Sequence, residues 1–215
     1  MRIYIETLLL YIILFFSGSV TSTAKTGVIE GFSAVTELAK IFLYIIPSIA
    51  LIWYMLLREK QVKNWNIKPG KNDLFSGITA FPCLLMTGFA IVFVSSRFGY
   101  VENETLAYPS ANSEWAVLGF YCICSAYLEE SFFRFYILSR RHELKLDAIS
   151  AAAFSAVLFS ICHIYEGPWG VLNAFLSAII LALIFLRYKA LHGIAIAHGL
   201  YNISVFAINA FFNKA

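Results

Sequence analysis

Charged residues in this chain fall into short clusters, and the runs between them are apolar enough to cross a lipid bilayer. A membrane-spanning helix needs about 20 mainly apolar residues. Stretches that meet or approach that length cover residues 3–16, 35–57, 74–96, 115–138, 148–164, 171–186 and 191–212. Only 13% of the 215 residues are charged, about half of what a soluble domain carries on a surface that faces water. The expected fold is an all-α, polytopic transmembrane helix bundle of about seven spans. Residues 1–110 supply about three of them and residues 111–215 about four. Pro47 predicts a kink in the second span, and Pro82 with Gly88 predicts irregularity in the third. No separate soluble domain and no internal repeat is visible.

The first stretch has two readings. Arg2, the apolar run and Ser22-Thr23-Ala24 together have the order of a signal peptide and its cleavage site. A single basic residue and an early Glu6 favour an uncleaved span instead. Orientation follows from Lys and Arg in the short loops, which stay on the cytoplasmic side. Arg58, Lys60, Lys63, Lys68 and Lys71 follow the second span, Arg140, Arg141 and Lys145 the fourth, and Arg187 and Lys189 the sixth. The alternate loops hold Lys25, Arg97 and, between Ile164 and Val171, no basic residue. Seven spans with a cytoplasmic N-terminus satisfy every loop.

A net charge of +3 without a basic, aromatic-interleaved run excludes nucleic acid as the natural partner. Cys83, Cys122, Cys124 and Cys162 all lie in apolar stretches, so they read as packed thiols rather than a disulfide framework or a zinc knuckle.

Ionisable side chains inside a membrane are expensive and therefore informative. The fourth span holds Glu129, Glu130 and Arg134, the fifth ends at His163, and the seventh holds His198 with Asn202. Glu130 and Arg134 are four apart and share a helix face, so they can pair. Glu129 is turned about 100° away, which leaves it outside that pair. Ala152, Ala156 and Ser160 form a small-residue stripe that lets another helix come close. Gly193 and Gly199 leave room beside the face of His198 and Asn202. His142 and His192 fall at loop positions and are given no role. A free carboxylate, two imidazoles and an amide are what peptide hydrolysis requires: a base for water, and fixed donors for an oxyanion. Burial raises a glutamate toward a useful basicity. Glu129, His163 and His198 also make three ligands for a catalytic zinc, although no His-Glu-x-x-His signature is present.

The order Glu129-Glu130-x-x-x-Arg134, Phe159-x-x-x-His163 and His198-x-x-x-Asn202 resembles the three motifs of the CAAX protease and bacteriocin-processing (CPBP, or ABI) intramembrane peptidases. The resemblance covers the last hundred residues or so. It implies a type II CAAX prenyl endopeptidase-like enzyme in which Glu129 and His163 activate water, His198 and Asn202 stabilise the oxyanion, and Glu130 and Arg134 support them. It implies either a glutamate peptidase, the reading preferred here, or a zinc enzyme. A membrane-associated peptide or protein is the implied substrate, and the compact chain looks like the bacterial members, in the cytoplasmic membrane. Two other functions remain open on the same residues: a non-catalytic immunity or scaffold protein, and a proton or ion transporter. Helix rise sets Glu129 and His198 about 12–14 Å, and His163 about 22 Å, from the cytoplasmic end; tilt, or a longer fourth helix, has to bring them together.

Overall fold

Every apolar stretch forms a helix, because in lipid only hydrogen bonds within the segment can satisfy the backbone. The computed structural model describes residues 2–16, 32–58, 68–99 and 108–213. Ser22, Thr23, Ala24, Lys25, Lys60 and Lys63 lie outside the described residues. Helix α1 runs as Arg2–Tyr11 and continues through a wide π turn, Ile12–Phe16. Then come α2 (Ala34–Arg58), α3 (Lys71–Arg97) and α4 (Asn112–Ser139). After them follow α5 (Ala148–Cys162), α6 (Gly167–Tyr188) and α7 (Leu191–Asn213). A 3-10 turn, Ile164–Glu166, leads into α6. The helices α2, α3, α4, α6 with its 3-10 turn, and α7 are long and apolar enough to cross a membrane, whereas α1 and α5 are shorter apolar helices.

Local chemistry explains the irregular points. Pro47 has no N–H to give and its ring crowds the carbonyl one turn earlier. The π turn Ile41–Ile45 sits at that place in α2 and widens the helix there. Helix α3, in contrast, continues unbroken through Pro82. Gly88 marks close packing and not irregularity, since a Cβ there would meet the Tyr201 hydroxyl of α7 at 2.7 Å. Asp147 caps α5 by accepting from the N–H groups of Ile149 (2.8 Å) and Ser150 (2.9 Å). Lys189 takes the left-handed conformation (φ 52°) and closes α6 tightly enough for α7 to start at Leu191.

The helices alternate in direction, which gathers the basic loops at one end of the bundle. At that end Tyr4 donates to the Leu144 carbonyl, Glu6 pairs with Arg140 (2.6 Å), and Asn72 donates to the Tyr188 carbonyl (3.1 Å). At the opposite end Phe98, after α3, packs on Trp169, at the start of α6 (5.8 Å). Glycines set the closest crossings. Gly193 of α7 lies against the Asp73 carbonyl of α3, and its N–H donates to the Asp73 carboxylate (3.2 Å). Gly199 lies against Ile123 and Cys122 of α4. The room that Gly193 and Gly199 were expected to leave beside His198 is thus filled by neighbouring helices. The Ala152, Ala156 and Ser160 stripe is buried, and next to it Ser155 donates to the Phe133 carbonyl of α4 (2.7 Å).

Candidate active site

Glu129 and Glu130 close the regular part of α4, and Arg134 lies in the π turn Ser131–Tyr136 that follows. The spacing-based pair is present: Arg134 Nε and Glu130 Oε2 are 3.0 Å apart, with both side chains 0% exposed. It is an ion pair rather than an aligned hydrogen bond, because neither atom has a hydrogen-bond partner among the described residues. Arg134 also donates to the Ala178 carbonyl of α6 (3.4 Å), and its guanidinium lies 4.8 Å from the centre of the Phe159 ring, within cation–π range.

Glu130 has a second partner. Its Oε1 lies 2.9 Å from Nδ1 of His198 on α7. An ionised carboxylate only accepts, so the proton sits on Nδ1 and Nε2 is turned away from Glu130. Nε2 faces Glu129, whose Oε2 lies 3.7 Å away, beyond hydrogen-bond reach. That Oε2 is buried and has no hydrogen-bond partner among the described residues, while Oε1 accepts from Ser125 at 3.4 Å. Arg134, Glu130, His198 and Glu129 thus form one line of charge. It is neutral overall when one proton is held by either His198 Nε2 or Glu129.

His163, just past the end of α5, is linked to this line through Phe159. Its ring stacks on Phe159 at 4.6 Å, and Phe159 in turn lies 5.9 Å from the His198 ring and 5.1 Å from Phe133. His163 Nδ1 lies 2.8 Å from the Phe159 carbonyl, an acceptor, so Nδ1 carries the proton and Nε2 is left basic when the ring is neutral. The depth offset inferred from helix rise is spanned by a single ring. Helix α5, with 15 residues, is about 22 Å long against a hydrocarbon core of about 30 Å. Asn202 follows His198 by one turn of α7 and is half-buried. His192 lies elsewhere, with Nδ1 3.3 Å from the Tyr127 hydroxyl, and His142 is exposed in a turn.

Phe159, which the sequence named in the second motif without a role, is the hub that touches Arg134, His163 and His198. Ser125, which holds Glu129, was not singled out from sequence, although it stands one helical turn before that residue on α4. Among the described residues, no group of three or more His, Cys, Asp or Glu side chains is gathered to hold a metal ion. Glu129, His163 and His198 are thus not gathered as a ligand set for zinc among the described residues.

Residues 111–204 match the family model described as Type II CAAX prenyl endopeptidase Rce1-like. That stretch of the chain is similar to the Rce1-like family. No curated protein and no solved structure matches the chain. It begins at the cap of α4, ends within α7, and contains Glu129, Glu130, Arg134, Phe159, His163, His198 and Asn202. The matched stretch is similar to the CAAX-type intramembrane proteases, and with it five apolar helices of spanning length mark the protein as an integral membrane protein.

Proposed function

We propose that the protein is an intramembrane endopeptidase of the glutamate type, with Glu129 as the base that activates water. The observation that carries this reading is the line Arg134–Glu130–His198–Glu129, in which one carboxylate is consumed by structural pairing and the other keeps a buried oxygen with no hydrogen-bond partner among the described residues. Glu129 takes a proton from water as the water oxygen attacks the peptide carbonyl. The basic Nε2 of His163 shares that proton on the half-exposed side of the site. His198, held by Glu130 at Nδ1, presents Nε2–H to the tetrahedral oxyanion, and the Asn202 amide one turn further is the second donor. When the C–N bond breaks, the proton taken from water passes to the leaving amine, and the starting state returns. General-base catalysis of this kind is worth about 10²–10⁴-fold, and an oxyanion donor about 10²–10³-fold.

The domains divide accordingly: residues 111–215 form the catalytic core, and residues 1–110 contribute spans that pack around it. The substrate is a membrane-associated peptide or protein, met in the bacterial cytoplasmic membrane with the N-terminus of the enzyme in the cytoplasm.

Purified protein in lipid nanodiscs, incubated with a library of quenched membrane-peptide reporters, tests the assignment. Glu129→Ala and His163→Ala should each lose at least about 10²-fold in cleavage rate. Unchanged cleavage in either variant removes the role given to that residue. Stoichiometric zinc in active protein, with activity lost to a chelator and restored by zinc, replaces the glutamate mechanism with the metal one.

A further inference from the structure

Helix α1 lies outside the matched residues 111–204 and carries no motif residue, yet it packs on the segment that follows the two glutamates. Tyr11 ends the regular part of α1, and Phe15 lies in the π turn that continues it. Both reach into the angle between the Phe132 and Phe133 rings of α4, which stand 5.1 Å apart and nearly perpendicular. Tyr11 stacks on Phe132 at 6.5 Å and meets Phe133 edge-on at 6.3 Å. Phe15 comes to 5.2 Å from Phe132 and 4.8 Å from Phe133. A second attachment fixes α1 further along α4, where Glu6 pairs with Arg140 (2.6 Å) and accepts from the Tyr136 hydroxyl (2.5 Å).

The ring contacts run on into the candidate centre. Phe133 meets Phe159 of α5 edge-on at 5.1 Å, and Phe159 carries the stacked His163 ring at 4.6 Å. His163 stands past the last helical residue of α5, with φ −99° and ψ 15°, where the backbone ladder no longer continues. Its ring is held by its own segment: the Phe159 carbonyl at 2.8 Å, the Phe159 ring, and Tyr165 at 6.2 Å. Where His163 lies relative to Glu129 and His198 is therefore set by where Phe159 lies. Phe159 is in turn located by Phe133 and Arg134 of α4 and by the His198 ring of α7. Tyr11 touches both sides of this arrangement. Its ring backs Phe133, and its hydroxyl lies 3.5 Å from the thiol of Cys162, the residue before His163.

We propose that Tyr11 is a positioning residue of the centre: with Phe15 it holds Phe133 against Phe159, and so keeps His163 beside the water that Glu129 activates. Close-packed interiors have little slack, so a displaced ring displaces its neighbours. Removing the Tyr11 ring lets Phe133 and Phe159 relax toward α1, and His163 moves with them. That the displaced histidine matters for turnover rests on the peptidase reading; that it is displaced does not.

Full-length protein in lipid nanodiscs separates the two. The chain has four histidines, so carbon-13 labelling at histidine Cε1 gives few resonances, and the one lost in His163→Gln belongs to His163. Tyr11→Leu keeps an apolar side chain and removes the ring. In that variant the His163 resonance should lose the shielding of the Phe159 ring and move toward that of exposed His142, while the His142 and His192 resonances stay in place. On a reporter that the parent protein cuts, kcat should fall at least about tenfold, since a displacement of about 1 Å costs up to about 10²-fold, with KM unchanged. Tyr11→Phe, which keeps the ring, should restore both readings. Leu9→Ala, on the exposed face of α1, should disturb neither. An unmoved His163 resonance in Tyr11→Leu overturns the proposal, as does a moved one with parental kcat, or a Tyr11→Phe that behaves like Tyr11→Leu. Where Tyr11→Leu does not fold, Phe15→Leu removes the other ring of the pair and must give the same shift and the same loss. A parent protein that cuts no reporter refutes the peptidase reading instead, and the resonance alone then decides whether Tyr11 places His163.

Discussion

Glu129 and Glu130 are neighbours in sequence with opposite environments, and that contrast predicts how their variants part. Glu130 is fully buried between Arg134 and His198. Glu130→Gln leaves the guanidinium without its carboxylate, and breaking a buried pair on one side costs about 3–5 kcal/mol. Unfolding by denaturant in detergent micelles should show a loss of that order, together with loss of cleavage. Glu129 is partly exposed, and His198 Nε2 stands 3.7 Å from its Oε2, beyond hydrogen-bond distance. Glu129→Gln should therefore abolish cleavage while leaving the unfolding midpoint close to that of the parent protein. Equal destabilisation by the two substitutions contradicts the division into a working and a supporting carboxylate. The pairing of Glu130 with Arg134 was legible from their spacing. The second partner of Glu130 was not, because nothing in a linear pattern says which face of α7 meets which face of α4.

At the scale of helices, the crossings and caps carry the predictions. Gly193 leaves no volume for a side chain where α7 meets the Asp73 carbonyl. Gly193→Ala should destabilise the bundle by about 1–3 kcal/mol, as overpacking does, and disulfide cross-linking between introduced cysteines on α3 and α7 should report a shifted crossing. A substitution without effect means that the two helices do not meet at that glycine. Asp147 caps α5 from outside the membrane-spanning segments, and the Ser150 N–H and hydroxyl, with the Ile149 N–H, hold its carboxyl below its ordinary value. A carboxylate with a lowered folded pKa adds stability that is complete above its unfolded pKa and is lost as pH falls through the folded one. Asp147→Ala should lower the melting temperature near neutral pH, and the difference from the parent should vanish in acid. A difference independent of pH removes the cap as its cause. Lengths and boundaries of the helices were legible because lipid demands long apolar runs. The π turns were not, since they answer to packing around Pro47 and around the ion pair in α4.

For the whole molecule, alternating helix directions and the segregation of Lys and Arg set the two ends apart. Helix α7 starts at the basic end, so a reporter fused after Asn213 emerges at the other one. Alkaline phosphatase fused there should be active and green fluorescent protein dark in a bacterial host; the reverse result inverts the orientation in the membrane. The fold class was readable at this scale from hydropathy alone. Five helices meet spanning length while α1 and α5 fall short, and which of their faces meet was not readable from hydropathy.

The sequence alone determined that the chain lives in lipid, that its spans are helices, and which polar side chains inside them needed a reason to be there. Those conclusions follow from local properties: apolar length, helical spacing and the penalty for charge in hydrocarbon. Tertiary structure decided the rest. It put Glu130 between Arg134 and His198 and placed Phe159 between the two histidines. Such facts depend on which helix faces meet, and that choice belongs to the packing of the whole bundle rather than to any one segment.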